Sequence, residues 1–315
     1  MTTVLKSKLF RALGTLNTIQ LFDDVPSDTL ERAERRVQEL DDRLSVYKPE
    51  SEISLLNAAA GVKPVAISED TMELLRAGKR FSAMTGGAFS LTTRPLSALW
   101  SINARCGSVP SRVEIEQAAR LVNDGDLMLD EQNHTAMLGK FGQAVDLGGI
   151  AKGYAADEVK RILKEGGVQN AIVNLGGTVA VLGDSRTVGI QHPDRATGIS
   201  MGRLSLSDRA IVTSGDYERY FEVGGVRYHH ILDPKSGYPA SAGLRSVTLV
   251  GEHATALDAL STAIFAMGAE PGVRLARRFG IGAIFVTTEL DVYCSDTLRS
   301  VFSLLTAPQS ARIYG

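Results

Sequence analysis

Apolar residues recur along this chain with two periods. At Leu30, Ala33, Val37, Leu40 and Leu44 they fall three or four apart, with Glu31, Arg32, Glu34, Arg35 and Arg36 between them. That spacing predicts an amphipathic helix capped by Ser27 or Asp28, its charges on a solvated face. Pro49 stops the preceding element, and Ser51 caps a short helix carrying Ile53, Leu55 and Leu56. Ser68 opens another, with Leu74, Leu75, Gly78 and Phe81 on one side, closing at Gly86-Gly87. The segment 88–100 reads as irregular. Ser111 and Glu114 then form a capping box before Ile115, Ala118, Ala119 and Val122. His134 reads as a surface histidine.

The strand signals are shorter. Gly14–Phe22 alternates weakly and is read as a strand. Ala144 and Val145 read as the end of an apolar strand that reaches Asp146, turns through Gly148-Gly149 and enters a helix. That helix carries Ala155, Val159, Ile162 and Leu163 and ends near Gly166-Gly167. Strands are then expected at Ala171–Asn174, Val179–Leu182, Val188–Gln191, Arg203–Leu206, Ala210–Thr213 and Ser246–Val250. Phe221–Val223 and Val226–Tyr228 flank Gly224-Gly225, a two-residue hairpin turn suited to positive φ. Ala254–Met267 reads as a helix ended by Gly268, and Val273–Phe279 as a last helix. Ala283–Val286 and Val292–Cys294 are expected as edge strands. With no strict βαβ alternation, the expected fold is α+β, with mixed, mainly antiparallel sheets and packed helices. One unit of two lobes over residues 1–315 is expected.

Composition narrows the chemistry. The 315 residues are 44% hydrophobic and 22% charged, with a net charge of -2. That balance argues against nucleic acid or an anionic membrane as partner, so a negative ligand would be captured locally. Cys106 and Cys294, with no CxxC and no nearby histidine cluster, are read as structural thiols. Lys6, Lys8, Arg11 and Asn17 interrupt every apolar run near the N-terminus. No signal peptide, lipobox or membrane span is therefore expected. The sequence as written predicts a cytoplasmic protein, or an exported one if a leader has been trimmed.

Three stretches could carry chemistry. A strand, a glycine turn and a helix start, with Lys152 in the first turn, would aim backbone N–H groups and a positive charge at an anion. The alternative is an ordinary strand–helix connection with a surface lysine. On the helix at 254–267, Asp258 and Thr262 project from one face, with Ser261 beside them. Hard oxygens completed by phosphate and water suit magnesium. Against that, Asp258 could be a paired acid and Thr262 could bond its own helix backbone. In Tyr228–Ala240, His229 and His230 enter a turn-rich loop, where a histidine can move a proton near neutral pH. Adjacent strand residues face opposite ways, so only one of the two addresses a given site. Thr213-Ser214-Gly215 reads as a small polar turn.

Taken in order, these segments resemble the ApbE-type FAD:protein FMN transferases. The resemblance rests on LGT at Leu13–Thr15, LSVY, SEIS and LN between Leu44 and Asn57, GGAF at Gly86–Phe89, and TxxPL at Thr92–Leu96. DLGGIAKGYAAD, NLGG at Asn174–Gly177, TSGDYERY, HHILDPKSG and DALSTA follow. It implies transfer of FMN from FAD to a Ser or Thr hydroxyl of a recipient flavoprotein, releasing AMP. It further implies a magnesium ion held by Asp258, Thr262, Ser261 and the carbonyl of Gly149. FAD contacts would come from Leu13, Tyr47, Ala88, Phe89, Ser90, Asp146, Lys152 and Leu232, with the FAD and magnesium site between the lobes. Tyr47 and Phe89 would offer aromatic faces to the FAD rings. His230 would be the base. No oligomeric state is implied. Two departures stand out: Ser90 follows Ala88-Phe89 where the family has Ala-Phe-Asp, and Leu13 stands where methionine is common. The rival expectations are an FAD pyrophosphatase using the same site, and a non-catalytic FAD-binding protein.

Overall fold

The computed structural model describes residues 4–26, 28–102, 108–305 and 311–314. The chain opens with a hairpin, β1 (Lys6–Ala12) and β2 (Thr15–Leu21), whose turn holds Leu13 at φ 53° and Gly14 at φ 71°. Helix α1 (Asp28–Leu44) follows and buries its whole apolar stripe, Leu30 to Leu44. Ser27, one of its two expected caps, lies outside the described residues, as does Cys106. Helix α2 (Glu52–Ala58) is capped by Ser51, whose hydroxyl accepts from Ser54 N–H; Ile53 and Leu56 are buried but Leu55 faces outward. After β3 (Val65–Ala66), Ser68 caps α3 (Glu69–Met84). Helix α4 (Arg94–Trp100) precedes α5 (Arg112–Ala119), where the Ser111/Glu114 capping box is complete. Strands β4 (Leu127–Asp130) and β5 (Thr135–Leu138) lead to α6 (Ala151–Glu165).

The second half is strand-rich. It contains β6 (Ala171–Leu175), β7 (Thr178–Leu182), β8 (Arg186–Gln191), β9 (Ser200–Leu206) and β10 (Ala210–Gly215). The hairpin of β11 (Tyr220–Val223) and β12 (Val226–His229) turns through Gly224 and Gly225 at φ 59° and 78°, as expected. Then come β13 (Leu244–Gly251), α7 (Ala254–Met267), α8 (Ala269–Arg278), β14 (Gly282–Thr287), β15 (Val292–Ser295), β16 (Phe302–Leu304) and β17 (Ala311–Tyr314). Among the described residues no helix is long and apolar enough to cross a membrane.

The chain falls into two compact units, each assembled from separated segments. The first comprises Met1–Glu39, Lys152–Gly215 and Ala242–Gly315. It holds a nine-stranded sheet in the order β1-β2-β6-β7-β10-β13-β14-β15-β17, antiparallel except for the β15–β17 pair. A three-stranded sheet, β16-β9-β8, covers one face. Ile211 and Val250, paired across β10 and β13, share a cluster there with Ile284, Ile190, Met201 and Leu204. The opposite face carries α7, met by Ser214 of β10 through Ser261. This double cover explains why every residue of β7 is buried. The second unit comprises Leu40–Ala151 and Asp216–Ser241, with the sheet β3-β5-β4 and the β11–β12 hairpin. Its aromatic cluster stacks Trp100 on Tyr228 and Tyr228 on Phe221, and Trp100 Nε1 donates to the Gly237 carbonyl at 2.7 Å.

Four expectations are corrected. The stretch containing Trp100 is not irregular throughout, because Pro95 in the first turn starts α4. Ala144–Asp146 joins no sheet: the side-chain amide of Asn57 takes both backbone groups of Val145, at 2.7 and 2.9 Å, and stands in for a neighbouring strand. Thr213-Ser214-Gly215 is the end of strand β10 rather than a turn. Neither β14 nor β15 is the edge strand expected: β14 lies between β13 and β15, and β15 between β14 and β17, which ends the sheet. Cys294 is buried without a disulfide partner, and burial raises its thiol to about 11, as befits a structural thiol.

In the first unit, α1 is fixed to α6 by Glu158, which takes Arg36 Nε at 2.9 Å and Nη2 at 2.8 Å. The hydrogen bond from Arg161, opposed by burial and aided by Arg36, holds the Glu158 carboxyl below its ordinary 4.5. Its stabilising contribution is therefore full above pH 4.5 and is lost as the pH falls through the lower folded value. Glu158→Gln should cost about 1 kcal/mol of stability at neutral pH. The variant should converge with the parent protein on the acid side of that window, in urea unfolding followed against pH.

Candidate active site

In the first unit, the oxygen-bearing turn of α7 meets the start of α6. Asp258 is only 3% exposed. Its Oδ2 accepts the Gly153 N–H at 2.9 Å, and its Oδ1 lies 3.8 Å from Lys152 Nζ. Glycine is required at 153, since a Cβ there would sit 2.3 Å from the Ala254 carbonyl oxygen and 2.7 Å from Thr255 Cα. One turn further along α6, Asp157 accepts from Ala254 N–H and Thr255 N–H at 2.9 Å each and from Thr255 Oγ1 at 2.7 Å. His253 makes no side-chain cap on α7. Its cap is supplied instead by an aspartate almost a hundred residues earlier.

The hydroxyls of Ser261 and Thr262 each donate to the Asp258 carbonyl at 3.1 Å, and Ser261 Oγ lies 2.9 Å from Ser214 Oγ. Both contacts weighed as purely structural, the paired acid and the back-bonded threonine, are thus present. They do not exhaust the oxygens. A hydroxyl that gives its proton keeps its lone pairs, and a carboxylate offers roughly four acceptor sites. One carboxylate and two hydroxyls on one helical turn fit magnesium, which takes few protein oxygens and completes its shell with water and phosphate. They fit a soft or transition metal poorly. Among the described residues, no cluster of three or more His, Cys, Asp or Glu side chains forms a metal cage.

In the second unit, Asp146 is the organising residue. Its N–H donates to the Leu91 carbonyl at 2.8 Å, its Oδ1 accepts from Gly148 N–H at 2.9 Å, and its Oδ2 accepts from Ser97 Oγ at 3.1 Å. Neither Gly148 nor Gly149 has positive φ, and Gly149 lies two residues before the start of α6. The amides of Gly148 and Gly153 both face the protein's own carboxylates, so they are not the open anion cradle that the glycine turn suggested. Tyr47 is 74% exposed beneath the Arg94 guanidinium, 5.0 Å from its ring centroid. Phe89, expected to offer a ring face, is buried at 3%, and its N–H donates to Thr85 Oγ1. Ala88 is buried as well, and Ser90 is half-buried. Leu232 is likewise buried, packed with Leu96, Trp100, Ile115 and Phe221.

His230 follows β12. Its backbone N–H donates to the Arg219 carbonyl, and Nδ1 lies 3.3 Å from the same oxygen. With Nδ1 as the donor, the basic ring atom is Nε2. Its neighbour His229 is buried, with Nε2 at 2.9 Å from the Ala240 carbonyl and Nδ1 accepting from Ile231 N–H. Of the two histidines His230 is the more accessible, in keeping with the alternation of adjacent strand residues.

Sequence reasoning missed Gly153, Asp157, Ser97 and Asp124. Gly153 and Asp157 lie inside the motif that drew attention first. Ser97 and Asp124 carry no local signal, since their partners lie tens of residues away.

The fold is that of solved flavin transferases. The ApbE protein of Thermotoga maritima superposes with a TM-score of 0.86 at 33% identity, covering 94% of this chain and 98% of that one. Flavin transferase ApbE from Vibrio cholerae gives 0.83 at 26% identity, over 94% and 99%. The chain belongs to the ApbE family, whose family model matches residues 13–285. It is 39% identical over 270 residues to the FAD:protein FMN transferase of Klebsiella pneumoniae (strain 342), covering 85% of each.

Gly153→Ala should destabilise the protein by about 2–3 kcal/mol, since backbone must move to admit the methyl. Asp157→Ala should cost about 1–2 kcal/mol, the usual loss on removing a helix cap. It should also speed hydrogen exchange at the Ala254 and Thr255 amides more than elsewhere in the first unit.

Proposed function

We propose that this protein transfers FMN from FAD to a serine or threonine hydroxyl of a recipient flavoprotein, with release of AMP. The observation that carries this reading is the convergence of Lys152 and the Gly153 amide on the buried Asp258 carboxylate, in a chain of the ApbE family. The names of its relatives supply the donor and the transferred group.

Asp258, Thr262, Ser261 and the Gly149 carbonyl would hold a magnesium ion. When bound, that ion neutralises the FAD diphosphate and makes its phosphorus a better electrophile. Lys152 adds a second positive charge for the same oxygens. Tyr47, with Arg94 over its ring, presents an aromatic face to a ring of FAD. Asp146, Leu13, the 88–90 main chain and the Leu232 backbone complete the contacts. The acceptor hydroxyl oxygen bonds to the FMN phosphorus, and the bond from that phosphorus to the bridging oxygen breaks. AMP leaves with the bridging oxygen. His230, held through Nδ1 by the Arg219 carbonyl, takes the hydroxyl proton on Nε2.

Incubation with FAD, Mg²⁺ and a recipient flavoprotein domain should add the mass of FMN to the recipient and release one AMP per transfer. Asp258→Ala should abolish that gain, and His230→Ala should lower kcat by about 10²–10⁴-fold while the protein stays folded. AMP and FMN released at the same rate with no recipient present would instead identify a pyrophosphatase. FAD that stays intact for hours would identify a binding protein.

A further inference from the structure

In the second unit, Asp124 stands in a short turn between α5 and β4, 9% exposed, and spends its whole carboxylate on one distant segment. Oδ1 accepts from Ser90 Oγ at 2.8 Å, Thr92 N–H at 3.0 Å and Thr92 Oγ1 at 2.8 Å, and Oδ2 accepts from Leu91 N–H at 3.1 Å. Four donors of three consecutive residues thus converge on one side chain. The segment is locked from the other side too. Leu91 is fully buried and fills the space over Gly78, where a Cβ would lie 2.4 Å from its Cδ2. The Leu91 carbonyl, held in place by this packing, accepts the Asp146 N–H. Immediately after the segment begins α4, whose Ser97 donates to the Asp146 carboxylate.

We propose that Asp124 is a positioning residue for FAD: it sets the 90–92 turn, and through the Leu91 carbonyl and α4 it sets Asp146. The proposal rests on the reading of Ala88–Ser90 and Asp146 as FAD contacts. Its chemistry explains the departure at Ser90. An aspartate at position 90 could accept the N–H two residues on by itself, as an Asx turn does. Here Ser90 Oγ accepts that N–H weakly, at 3.2 Å, and donates its own O–H to Asp124. The negative charge that holds the turn therefore stands at position 124, and position 90 contributes only a hydroxyl.

This pairing of hydroxyl and carboxylate makes a reciprocal test available, using the full chain, FAD affinity from flavin fluorescence, and steady-state kinetics with a recipient domain. Asp124→Asn should weaken FAD binding and raise KM for FAD by about tenfold, the size of one charge-assisted hydrogen bond, with kcat changed much less. Ser90→Asp alone should also weaken binding, because it sets two carboxylates within hydrogen-bond distance. Ser90→Asp combined with Asp124→Asn should recover FAD affinity to within about threefold of the parent, a change of sign that a merely structural aspartate would not produce. A folded Asp124→Asn protein with unchanged FAD affinity overturns the proposal. So does a double variant that is no better than Asp124→Asn. If Asp124→Asn fails to fold, the double variant decides: recovery of folding and FAD affinity together supports the proposal, and failure of either overturns it. A parent protein that binds no FAD overturns the FAD reading itself, and the proposal with it, whatever the variants do.

Discussion

A carboxylate taken out of water must be compensated where it lies, and Asp258 is the carboxylate on which the first unit depends. Unpaired, its charge would cost several kcal/mol. The Gly153 amide and Lys152 remove most of that cost, and they do so only if α6 and α7 cross at the distance a glycine permits. The requirement therefore runs in both directions. Burial of the acid needs the close crossing, and the close crossing brings a lysine, a carboxylate and two hydroxyls into one small volume. Asp157 strengthens the same contact by closing the α7 N-terminus, so α7 begins where α6 dictates.

A second theme is backbone that no sheet or helix satisfies. Asn57 pairs Val145 as a neighbouring strand would, Asp146 takes Gly148, and Asp124 takes Leu91 and Thr92. Each substitutes one polar side chain for a ladder or cap, and each lies in the second unit beside residues assigned to FAD. Loops held this way lose less entropy when a ligand arrives than loops free to rearrange. A site that must align a hydroxyl with one phosphorus gains from that rigidity.

Local rules and long-range packing divide the chain unevenly. Ser51, Ser68 and the Ser111/Glu114 box start helices where they were expected to, because a cap needs only residues within one turn. Gly224-Gly225 turns its hairpin for the same reason. Ala144–Asp146 looked like a strand because its apolar pattern is that of a buried extended segment, which it is. What it lacks is a neighbour, and alternation does not report neighbours. Strand β15 looked like an edge because its partner β17 lay beyond the residues read as structured, and β14 because strand pattern alone does not report that β15 pairs with it.

The chemistry was legible in part. Asp258, Ser261 and Thr262 stand on one turn of one helix, a relation helical geometry dictates by itself, and the ordered motifs were enough to name the family. The order of nine strands, the approach of α6 to α7 and the four bonds of Asp124 were decided only by tertiary packing. Cap, stripe and turn are interactions over a few residues, written in the local sequence. A carboxylate that serves amides thirty or a hundred positions away is chosen by whichever surfaces meet once the core has closed.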